Sequence, residues 1–440
     1  MNTRGEAVMS AFAAGSHDAA VAERALADLS RAPIGPTVKG FGGLDEMASG
    51  GDIAQRGLRL DAPVFSRPLF VLRTSALEHN IAVLADYCAR RGALLAPHAK
   101  TTMSPELFLA QLRAGAWALT AANVTQASVF VLHGARRVII ANQVTDRVAL
   151  ASLRRLLDRT AGLEVLCYVD SVHGAELLVD AFAGADRAPQ VLVEIGLPDA
   201  RTGVRDLPTA EAVARVIHDA PTLRVVGTSC FEGSLGEREG DELDLAVDQL
   251  LTAVRIAGER LSELGLVEDG LVLSAGGSHL FDRVIDEFSL SSVPDTRIVV
   301  RSGSYVTHDH GVYLHDSPAL RGVDIEPFIP AIEIRATVLS RPDPDLVLIT
   351  AGRRDVSFDA GYPVVLSASH DGTPIDAAGA TVTGLNDQHG FVTVPATSSL
   401  AVGDEVVLGI SHPCTTFDKW THGLLVDDDD VVTGVVHTFF

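Results

Sequence analysis

The stretch of sequence that decides the fold is LLAPHAKTTMSPELFLAQLRAGAWALT, residues 94–120. It opens with a short apolar run that stops before Pro97, and it closes with a second apolar run, WALT. Between the two runs, Ser104 and Pro105 supply the signals that begin a helix, and Gly115 supplies the signal that ends it. A strand, a helix and a second strand in this order predict one βα unit of a parallel sheet.

The same alternation of apolar runs and helical segments continues on both sides of this unit. A closed barrel of strands and helices needs eight strands. Eight runs between Ala93 and Arg301 meet that requirement: ALLA, WALTAA, RVIIA, LEVLCYV, QVLVEI, LRVVGT, LVLS and RIVV. The sequence therefore predicts an α/β fold with a (β/α)8 TIM barrel, and an earlier run, PLFVLR at residues 68–73, has no place in it.

The spacing of apolar residues changes in the last quarter of the chain. Strand-like runs follow one another there, AIEIRATVL, DLVLIT, PVVLSAS, EVVLGI and VVTGVVHTF, separated by Gly, Pro and Asp. Such runs predict an all-β domain. We expect an N-terminal extension over residues 1–60, a barrel over residues 61–323 and a C-terminal β domain over residues 324–440. The strand at residues 68–73 is expected to pair with the β domain.

Composition narrows the classes of function. The chain has 440 residues and a formal net charge of −22. Nucleic acids and anionic membranes bind clustered Lys and Arg, whereas acidic residues outnumber basic ones in this chain, so we expect neither kind of partner. The four cysteines are too few and too scattered for a disulfide framework, and no signal peptide or membrane-length apolar stretch is visible. We expect a cytoplasmic protein that acts on a small molecule.

Lys100 directly follows the first barrel strand, at the sheet edge where barrel enzymes place their active sites. A lysine in this position is in most proteins only a solvated cation. Here, however, the loop after the seventh strand offers glycine amides and a hydroxyl to a phosphate, and RSGSY follows the eighth strand. An amine that holds an aldehyde and a cradle that holds a phosphate together indicate pyridoxal phosphate. The predicted cofactor-binding residues are Lys100, His98, Gly276, Gly277, Ser278, Arg301, Ser304 and Tyr305.

Six segments, APHAKTTMSP, QLRAGAWALT, ANQ, RSGSY, DQHG and SHPC, together resemble the D-serine dehydratase and D-threonine aldolase family. Its members are fold-type III, alanine-racemase-like pyridoxal phosphate enzymes, and within it the chain looks most like bacterial amino acid deaminases, the D-serine deaminase-like proteins. The resemblance covers residues 61–414 and is most specific at PHAKT. It implies that Lys100 is the Schiff-base lysine, that a β domain follows the barrel, and that the protein is a head-to-tail homodimer with its active sites near the subunit interface.

A second chemical pattern is SHPC, in which His412 and Cys414 are two residues apart. A strand here would direct both side chains to one face. Zinc sites take three or four protein ligands, so the spacing alone favours a structural pair. The resemblance implies a metal site instead, because dehydratases of the family bind a divalent metal, usually zinc, through such a pair. The family's D-threonine aldolases usually carry His-x-Asp there, so Cys414 favours β-elimination over retro-aldol cleavage.

Other polar residues give weaker signals. His308 and His310 are expected to form hydrogen bonds at the barrel rim rather than to bind a metal. His389, in DQHG, matches an element of the family, but a histidine that caps a turn would look the same. Roles for Arg201 and Phe231 stay open. The aspartate that often opens the family's arginine-glycine element is missing here, and so is the tyrosine that family members often have at the phenylalanine position.

These patterns predict a lyase. The expected enzyme is a pyridoxal phosphate and zinc dependent dehydratase that converts a β-hydroxy D-amino acid, such as D-serine or D-threonine, to a 2-oxo acid and ammonia. A D-threonine aldolase would use the same lysine and metal but release glycine. An alanine-racemase-like enzyme would need a second acid/base, usually a tyrosine of the β domain. Tyr362 is the only tyrosine there, and its turn, AGYP, does not suggest this role. A non-catalytic pyridoxal phosphate carrier would keep Lys100 and the phosphate loop but lack the β domain.

Overall fold

The computed structural model of the protein describes residues 15–235 and 238–440. Contacts between residues divide the chain into two compact units. Apart from the undescribed positions, the first unit consists of residues 15–22, 84–100 and 109–303. The second unit consists of residues 23–83, 101–108 and 304–440.

The elements are numbered here in chain order. The strands are β1 (Pro33–Ile34), β2 (Ala48–Ser49), β3 (Leu69–Arg73), β4 (Leu94–Leu95), β5 (Leu119–Ala121), β6 (Arg137–Gln143), β7 (Glu164–Val169), β8 (Gln190–Glu194), β9 (Arg224–Ser229), β10 (Val267–Ala275), β11 (Arg297–Val300), β12 (Ile332–Asp343), β13 (Leu346–Ile349), β14 (Val364–His370), β15 (Thr373–Ile375), β16 (Thr381–Leu385), β17 (Gly390–Thr393), β18 (Glu405–Gly409), β19 (His422–Val426) and β20 (Val432–His437). The helices are α1 (Ala19–Arg31), α2 (Gly50–Gln55), α3 (Thr74–Arg90), α4 (Pro105–Arg113), α5 (Val124–Leu132), α6 (Arg147–Arg159), α7 (Val172–Ala181), α8 (Leu207–His218), α9 (Gly240–Glu263), α10 (Phe281–Phe288), α11 (Val312–His315) and α12 (Cys414–Phe417).

The first unit contains a parallel sheet of eight strands in the order β4-β11-β10-β9-β8-β7-β6-β5. Hydrogen bonds next to its two end strands run from Trp117 N–H to Leu95 O (2.7 Å) and from Thr120 N–H to Pro97 O (2.9 Å). They close the sheet into the (β/α)8 barrel that the sequence predicts. Each of the eight predicted runs supplies one strand, so the fold prediction is confirmed.

Burial of aliphatic side chains explains why these segments form a barrel. One buried cluster lies on one face of the closed sheet: Leu94, Ile139, Leu166, Leu192, Val226, Val272 and Val299. The helices bury one face each, as α6 does with Leu150, Leu153 and Leu157 at helical spacing. Asp146 begins this helix by accepting a hydrogen bond from Ala149 N–H (2.8 Å). Full burial of each such side chain stabilises the fold by about 1.5–3 kcal/mol.

The second unit is built on antiparallel strands around β12. This strand pairs antiparallel with β18, β13 and β3. The unplaced run PLFVLR supplies β3, which also pairs parallel with β19. The run therefore lies in the sheet of the second unit and not in the barrel.

Residues that precede β3 also belong to the second unit. A buried cluster joins them to its strands: Ile34, Phe41, Leu60, Val71, Leu424 and Val435. Ser49 begins α2 with a reciprocal capping box, in which Asp52 returns the hydrogen bond. Part of the segment that the sequence left without a role thus covers the strands β3, β19 and β20.

All four cysteines are free thiols, and three of them, Cys88, Cys167 and Cys230, are buried. Burial raises the pKa of the Cys88 and Cys167 thiols to about 12, which makes both poor nucleophiles. Within residues 15–235 and 238–440, no helix combines the length and apolar character that a membrane crossing requires.

Candidate active site

His98 and Lys100 lie in the first unit, where the chain leaves β4. His98 N–H donates to Arg301 O (3.2 Å), which ties this segment to the end of β11. His98 Nδ1 is buried and makes no hydrogen bond. Burial first, and then the charges of nearby cations, hold the pKa of His98 well below its usual value, so its imidazole is neutral. Those cations are Lys100, Arg301 and Arg201.

Arg301 is a buried cation at the carboxyl edge of the barrel and is only 4% exposed. Its Nη1 donates to Ser274 Oγ (2.6 Å) and to Ser229 Oγ (3.0 Å). Its Nη2 donates to the carbonyl of Cys230 (2.5 Å). Each of these hydrogen-bond partners is neutral, so they orient the guanidinium without cancelling its charge. A buried charge held in this way is typical of functional sites.

The loop after β10 contains the amides that the sequence assigns to a phosphate. Gly276 N–H donates to Glu232 Oε2 (3.1 Å), and Gly277 N–H donates to the other oxygen of the same carboxylate. Gly276 has a φ of 114°, a conformation that side chains disfavour. Glu232 is 2% exposed, and Ser278 is 7% exposed. The two amides thus converge on one anion, and that anion is a side chain of the protein itself.

Two further polar groups lie at the carboxyl edge of the barrel. Glu194 accepts hydrogen bonds from Gln143 Nε2 (2.5 Å) and Thr202 Oγ1 (3.0 Å). Burial raises the pKa of Glu194 above its usual value. The guanidinium of Arg201 lies 5.1 Å from the ring centroid of Phe231. Phe231 therefore packs against a cation, as aromatic faces favour.

His412 and Cys414 lie in the second unit, beyond the end of β18. The sequence expected a strand here, but Pro413 adopts a helical backbone conformation (φ −59°, ψ −45°), and α12 begins at Cys414. The two side chains nevertheless lie close enough for each to shift the pKa of the other. Cys414 Sγ also lies 3.4 Å from Thr101 Oγ1 and 3.7 Å from Ser304 Oγ. The pair is therefore brought together by a proline turn and not by strand geometry.

The environment shifts both groups of the pair toward their charged forms. The hydrogen bond with Cys414 is the main cause that raises the pKa of His412 to about 9, and Asp359 adds to it. Burial by itself would raise the pKa of the Cys414 thiol, but hydrogen bonds with His412 and Thr101 lower it below its usual value. The thiolate is the form of cysteine that binds metals.

The other histidines of interest have contacts of their own. His308 is buried, and its Nδ1 lies 3.0 Å from the carbonyl of Asp309. His389 is exposed at the turn between β16 and β17, where its carbonyl accepts a hydrogen bond from Asn386 N–H (2.8 Å). Among the residues that the structure describes, no group of three or more His, Cys, Asp or Glu side chains is arranged to hold a metal.

Comparison with known proteins shows the family. Residues 72–286 match the model of the alanine racemase N-terminal domain, and residues 331–426 match the model of the putative serine dehydratase domain. A D-threonine aldolase from Arthrobacter sp is 30% identical over 372 residues, which cover 84% of this chain and 90% of that protein. The chain belongs to the D-serine dehydratase and D-threonine aldolase family.

Dehydratases are also among the relatives of this chain. A D-threo-3-hydroxyaspartate dehydratase from Delftia sp. (strain HT23) is 25% identical over 334 residues, 74% of this chain and 83% of that protein. A solved structure of such a dehydratase, a cysteine-to-alanine mutant in the metal-free form, is 23% identical and covers 85% of this chain and 97% of its own, with a TM-score of 0.66. The D-threonine aldolase structure from Filomicrobium marinum is 24% identical and covers 85% of this chain and 95% of its own, with a TM-score of 0.73. The solved structures show the same fold.

The D-serine dehydratase and D-threonine aldolase family consists of fold-type III pyridoxal phosphate enzymes, and the first unit has groups that fit this cofactor. The amine of Lys100 suits the aldehyde. The amides of Gly276 and Gly277 already bind a carboxylate, so they are able to bind an anion. The unpaired Nδ1 of His98 and the charge of Arg301 add a buried hydrogen-bonding group and a buried cation.

For a divalent metal, the fit in this family member rests on donor chemistry. A thiolate and an imidazole suit zinc, and they are the donor types of His412 and Cys414. These two protein ligands are one fewer than the three of the usual catalytic zinc site, so water or substrate would fill the remaining coordination positions.

The structure separates the predicted residues and adds others. Ser304 belongs to the second unit, where it contacts Cys414, and Tyr305 is buried there with its ring 5.9 Å from that of Phe328. Sequence reasoning missed Glu232, Thr101 and Asp359. Two of them had a signal, because Thr101 lies within PHAKT and Glu232 follows Phe231. Asp359 had none, since it is 53 residues from His412, the side chain that it contacts.

Proposed function

We propose that this chain is a pyridoxal phosphate and zinc dependent D-amino acid dehydratase. It would convert a β-hydroxy D-amino acid such as D-serine or D-threonine to a 2-oxo acid and ammonia. The observation that carries the proposal is the 3.4 Å contact of Cys414 Sγ with Thr101 Oγ1, because Thr101 is the next residue after Lys100. The chain thus joins the lysine of PHAKT directly to a residue that contacts the thiol of SHPC.

Each residue has a proposed task. When bound, pyridoxal phosphate supplies an electron sink for the α-carbon, and a divalent metal supplies a Lewis acid for the β-hydroxyl. Lys100 would hold the cofactor until the substrate amine replaces it, and its Nζ would then accept the α-proton. His412 and Cys414 would hold the metal through nitrogen and sulfur.

Arg301 would face the pyridine nitrogen. A guanidinium stays protonated, so Arg301 would donate a hydrogen bond to this nitrogen and would not give up a proton. Its bonds to Ser229, Ser274 and the Cys230 carbonyl would keep it in this orientation. With Arg301 as its partner, pyridoxal phosphate would be a weaker electron sink, and this would favour loss of the β-hydroxyl over return of the α-proton.

A retro-aldol lyase is the second candidate, because the Arthrobacter relative at 30% identity is named a D-threonine aldolase. It would use the same lysine and metal ligands but break the Cα–Cβ bond and release glycine and an aldehyde. Cys414 supports elimination, since the family resemblance associates cysteine at this position with dehydratases.

A product assay separates the two candidates. The purified protein, supplied with pyridoxal phosphate and zinc, is incubated with D-serine and with D-threonine, and 2-oxo acid, ammonia and glycine are each measured. We expect 2-oxo acid and ammonia in equal amounts, without glycine. Glycine with an aldehyde from D-threonine would instead establish the aldolase. If neither set of products forms from these or other β-hydroxy D-amino acids, both candidate functions are refuted.

The enzyme is expected to be stereospecific. One lysine base reaches only one face of the bound amino acid, so only one enantiomer presents its α-proton to Lys100. The rate with D-serine should exceed that with L-serine by at least about 100-fold, which is the lower range for a positioned proton transfer. Coupled measurement of pyruvate formed from each enantiomer tests this. Comparable rates would contradict Lys100 as the single base.

The carboxylate of Glu232 is expected to weaken the binding of pyridoxal phosphate by the wild-type protein. This carboxylate holds the Gly276 and Gly277 amides, so it must leave before a phosphate takes them. Glu232→Gln removes the charge and should therefore bind pyridoxal phosphate on the order of 10-fold more tightly. Fluorescence titration of the cofactor-free protein measures this affinity. Pyridoxal, which lacks the phosphate, should bind wild type and variant equally.

The control for this titration is Glu263→Gln, because the Glu263 side chain is 66% exposed and lies at the end of α9. It removes the same charge at a position outside the loop, and its cofactor affinity should equal that of wild type. Weaker binding of pyridoxal phosphate by Glu232→Gln would contradict the prediction and show that the carboxylate supports the loop.

We also propose that the enzyme is a homodimer of the cytoplasm that acts on free amino acids. Light scattering coupled to size-exclusion chromatography should give twice the mass of the 46.4 kDa chain. A monomer that is fully active would contradict the dimer.

A further inference from the structure

The imidazole of His412 makes a contact on the side away from Cys414. His412 Nδ1 lies 2.7 Å from Asp359 Oδ2. The other oxygen of this carboxylate, Oδ1, accepts a hydrogen bond from Thr415 Oγ1 (2.7 Å). A carboxylate only accepts hydrogen bonds, so Nδ1 carries a proton in this pair. The lone pair of a neutral His412 is then on Nε2.

The backbone around Asp359 is fixed against the backbone around His412. His412 N–H donates to Ser357 Oγ (3.0 Å), and Ser411 Oγ donates to the carbonyl of Gly361 (2.7 Å). Ser357 N–H donates to Thr416 Oγ1 (3.2 Å). Ser357 and Thr416 are fully buried. The Asp359 side chain is 45% exposed, yet hydrogen bonds that are buried or partly buried hold both chain segments that set its position.

We propose that Asp359 is the positioning residue for the metal ligand His412. It would keep the proton on Nδ1, hold the ring in one orientation and so leave Nε2 to bind the metal beside Cys414. A histidine that binds a metal usually donates its second N–H to a carboxylate or carbonyl, which fixes its tautomer and increases its basicity. The inference rests on the proposed metal role of His412 and Cys414. Asp359 acts through His412 and does not bind the metal itself.

The test compares zinc affinities of the full-length protein. Wild type, Asp359→Ala and Asp359→Asn, each with pyridoxal phosphate, are stripped with a chelator and titrated with Zn²⁺ against a chromophoric competitor. Loss of such a partner weakens metal binding by about 10- to 100-fold, and the exposure of Asp359 places the expected loss for Asp359→Ala near 10-fold. Asp359→Asn keeps the shape and one acceptor oxygen, so its affinity should lie between the two.

The matched control is Asp418→Ala. The Asp418 side chain is 44% exposed, close to the 45% of Asp359, and it pairs with Lys419 Nζ (3.2 Å) at the end of α12. Its loss should leave zinc affinity unchanged. A spectroscopic measurement accompanies the titration: the imidazole ¹⁵N signals of His412 in the zinc-loaded wild type should show a protonated Nδ1 and a metal-bound Nε2. In the metal-free proteins, at a pH where this imidazole is neutral, the proton should stay on Nδ1 in wild type and exchange between Nδ1 and Nε2 in Asp359→Ala.

The outcomes separate this inference from the proposed function. Wild type that binds zinc, together with an Asp359→Ala variant of equal affinity, overturns the role of Asp359 and leaves the metal site standing. Equal losses of zinc affinity in Asp359→Ala and Asp418→Ala also overturn it, because the effect would then come from the removal of a surface charge at either position. Wild type that binds no zinc at His412 and Cys414 refutes the metal site and the inference together. Thermal unfolding of the metal-free variants shows whether a loss of zinc affinity is caused by misfolding. If Asp359→Ala misfolds, the zinc affinity of Asp359→Asn is compared with that of wild type instead.

Discussion

Lys100→Ala is expected to abolish covalent attachment of pyridoxal phosphate and to lower turnover by at least about 100-fold, because one amine serves as both the anchor and the base. The wild-type protein should show the absorption of a lysine-bound cofactor. Borohydride should fix that cofactor to the protein, and peptide mapping should place it on Lys100. In Lys100→Ala, borohydride should leave the cofactor removable by dialysis.

The chain provides its own controls, because Lys39 and Lys419 are its only other lysines. Lys39 Nζ is bonded to Asp355 (2.9 Å) and lies over the ring of Trp420, and Lys419 pairs with Asp418. Alanine at either position should leave the cofactor spectrum and the turnover at wild-type values. Labelled peptides that contain Lys39 or Lys419, or wild-type turnover by Lys100→Ala, would overturn the assignment.

Removal of the metal is expected to stop elimination and to spare the cofactor. Hydroxide is a poor leaving group without a Lewis acid, and a metal supplies several kcal/mol toward its departure, so ammonia release should fall at least about 100-fold after chelation. Re-addition of Zn²⁺ should restore it. The cofactor spectrum should persist throughout, because Lys100 and the loop that contains Gly276 hold the cofactor and neither supplies a predicted metal ligand.

Cys414→Asp tests the same site by substitution. A carboxylate is a harder ligand than a thiolate, so the variant should bind zinc more weakly, with a preference shifted toward ions such as manganese. We expect it to lose ammonia release, and any glycine released from D-threonine would show that the aldolase reaction has emerged. If chelation leaves deamination by the wild-type protein unchanged, and metal analysis confirms that the site is empty, His412 and Cys414 form only a structural pair.

The sequence by itself determined the barrel. Its strands are short apolar runs, and apolar residues predict burial. Its helices have capping residues in the local sequence, as Ser104, Pro105 and Gly115 show around α4. Such signals are local, because a helix is capped and a face is buried by residues a few positions apart. The count of eight strands then left PLFVLR over, and strand pairing placed it in the sheet around β12.

The candidate site was predictable as residue types but not as contacts. PHAKT, RSGSY and SHPC indicated Lys100, Arg301, His412 and Cys414, because a lysine amine, a guanidinium, an imidazole and a thiol have characteristic chemistry wherever they lie. Their partners come from distant parts of the chain: Cys414 is 313 residues from Thr101, and Glu232 is 44 residues from Gly276. No local pattern records such distances, since they depend on how strands pair and how loops cross the carboxyl edge. Only the tertiary structure, therefore, decided that a carboxylate holds the predicted phosphate loop and that Asp359 contacts His412.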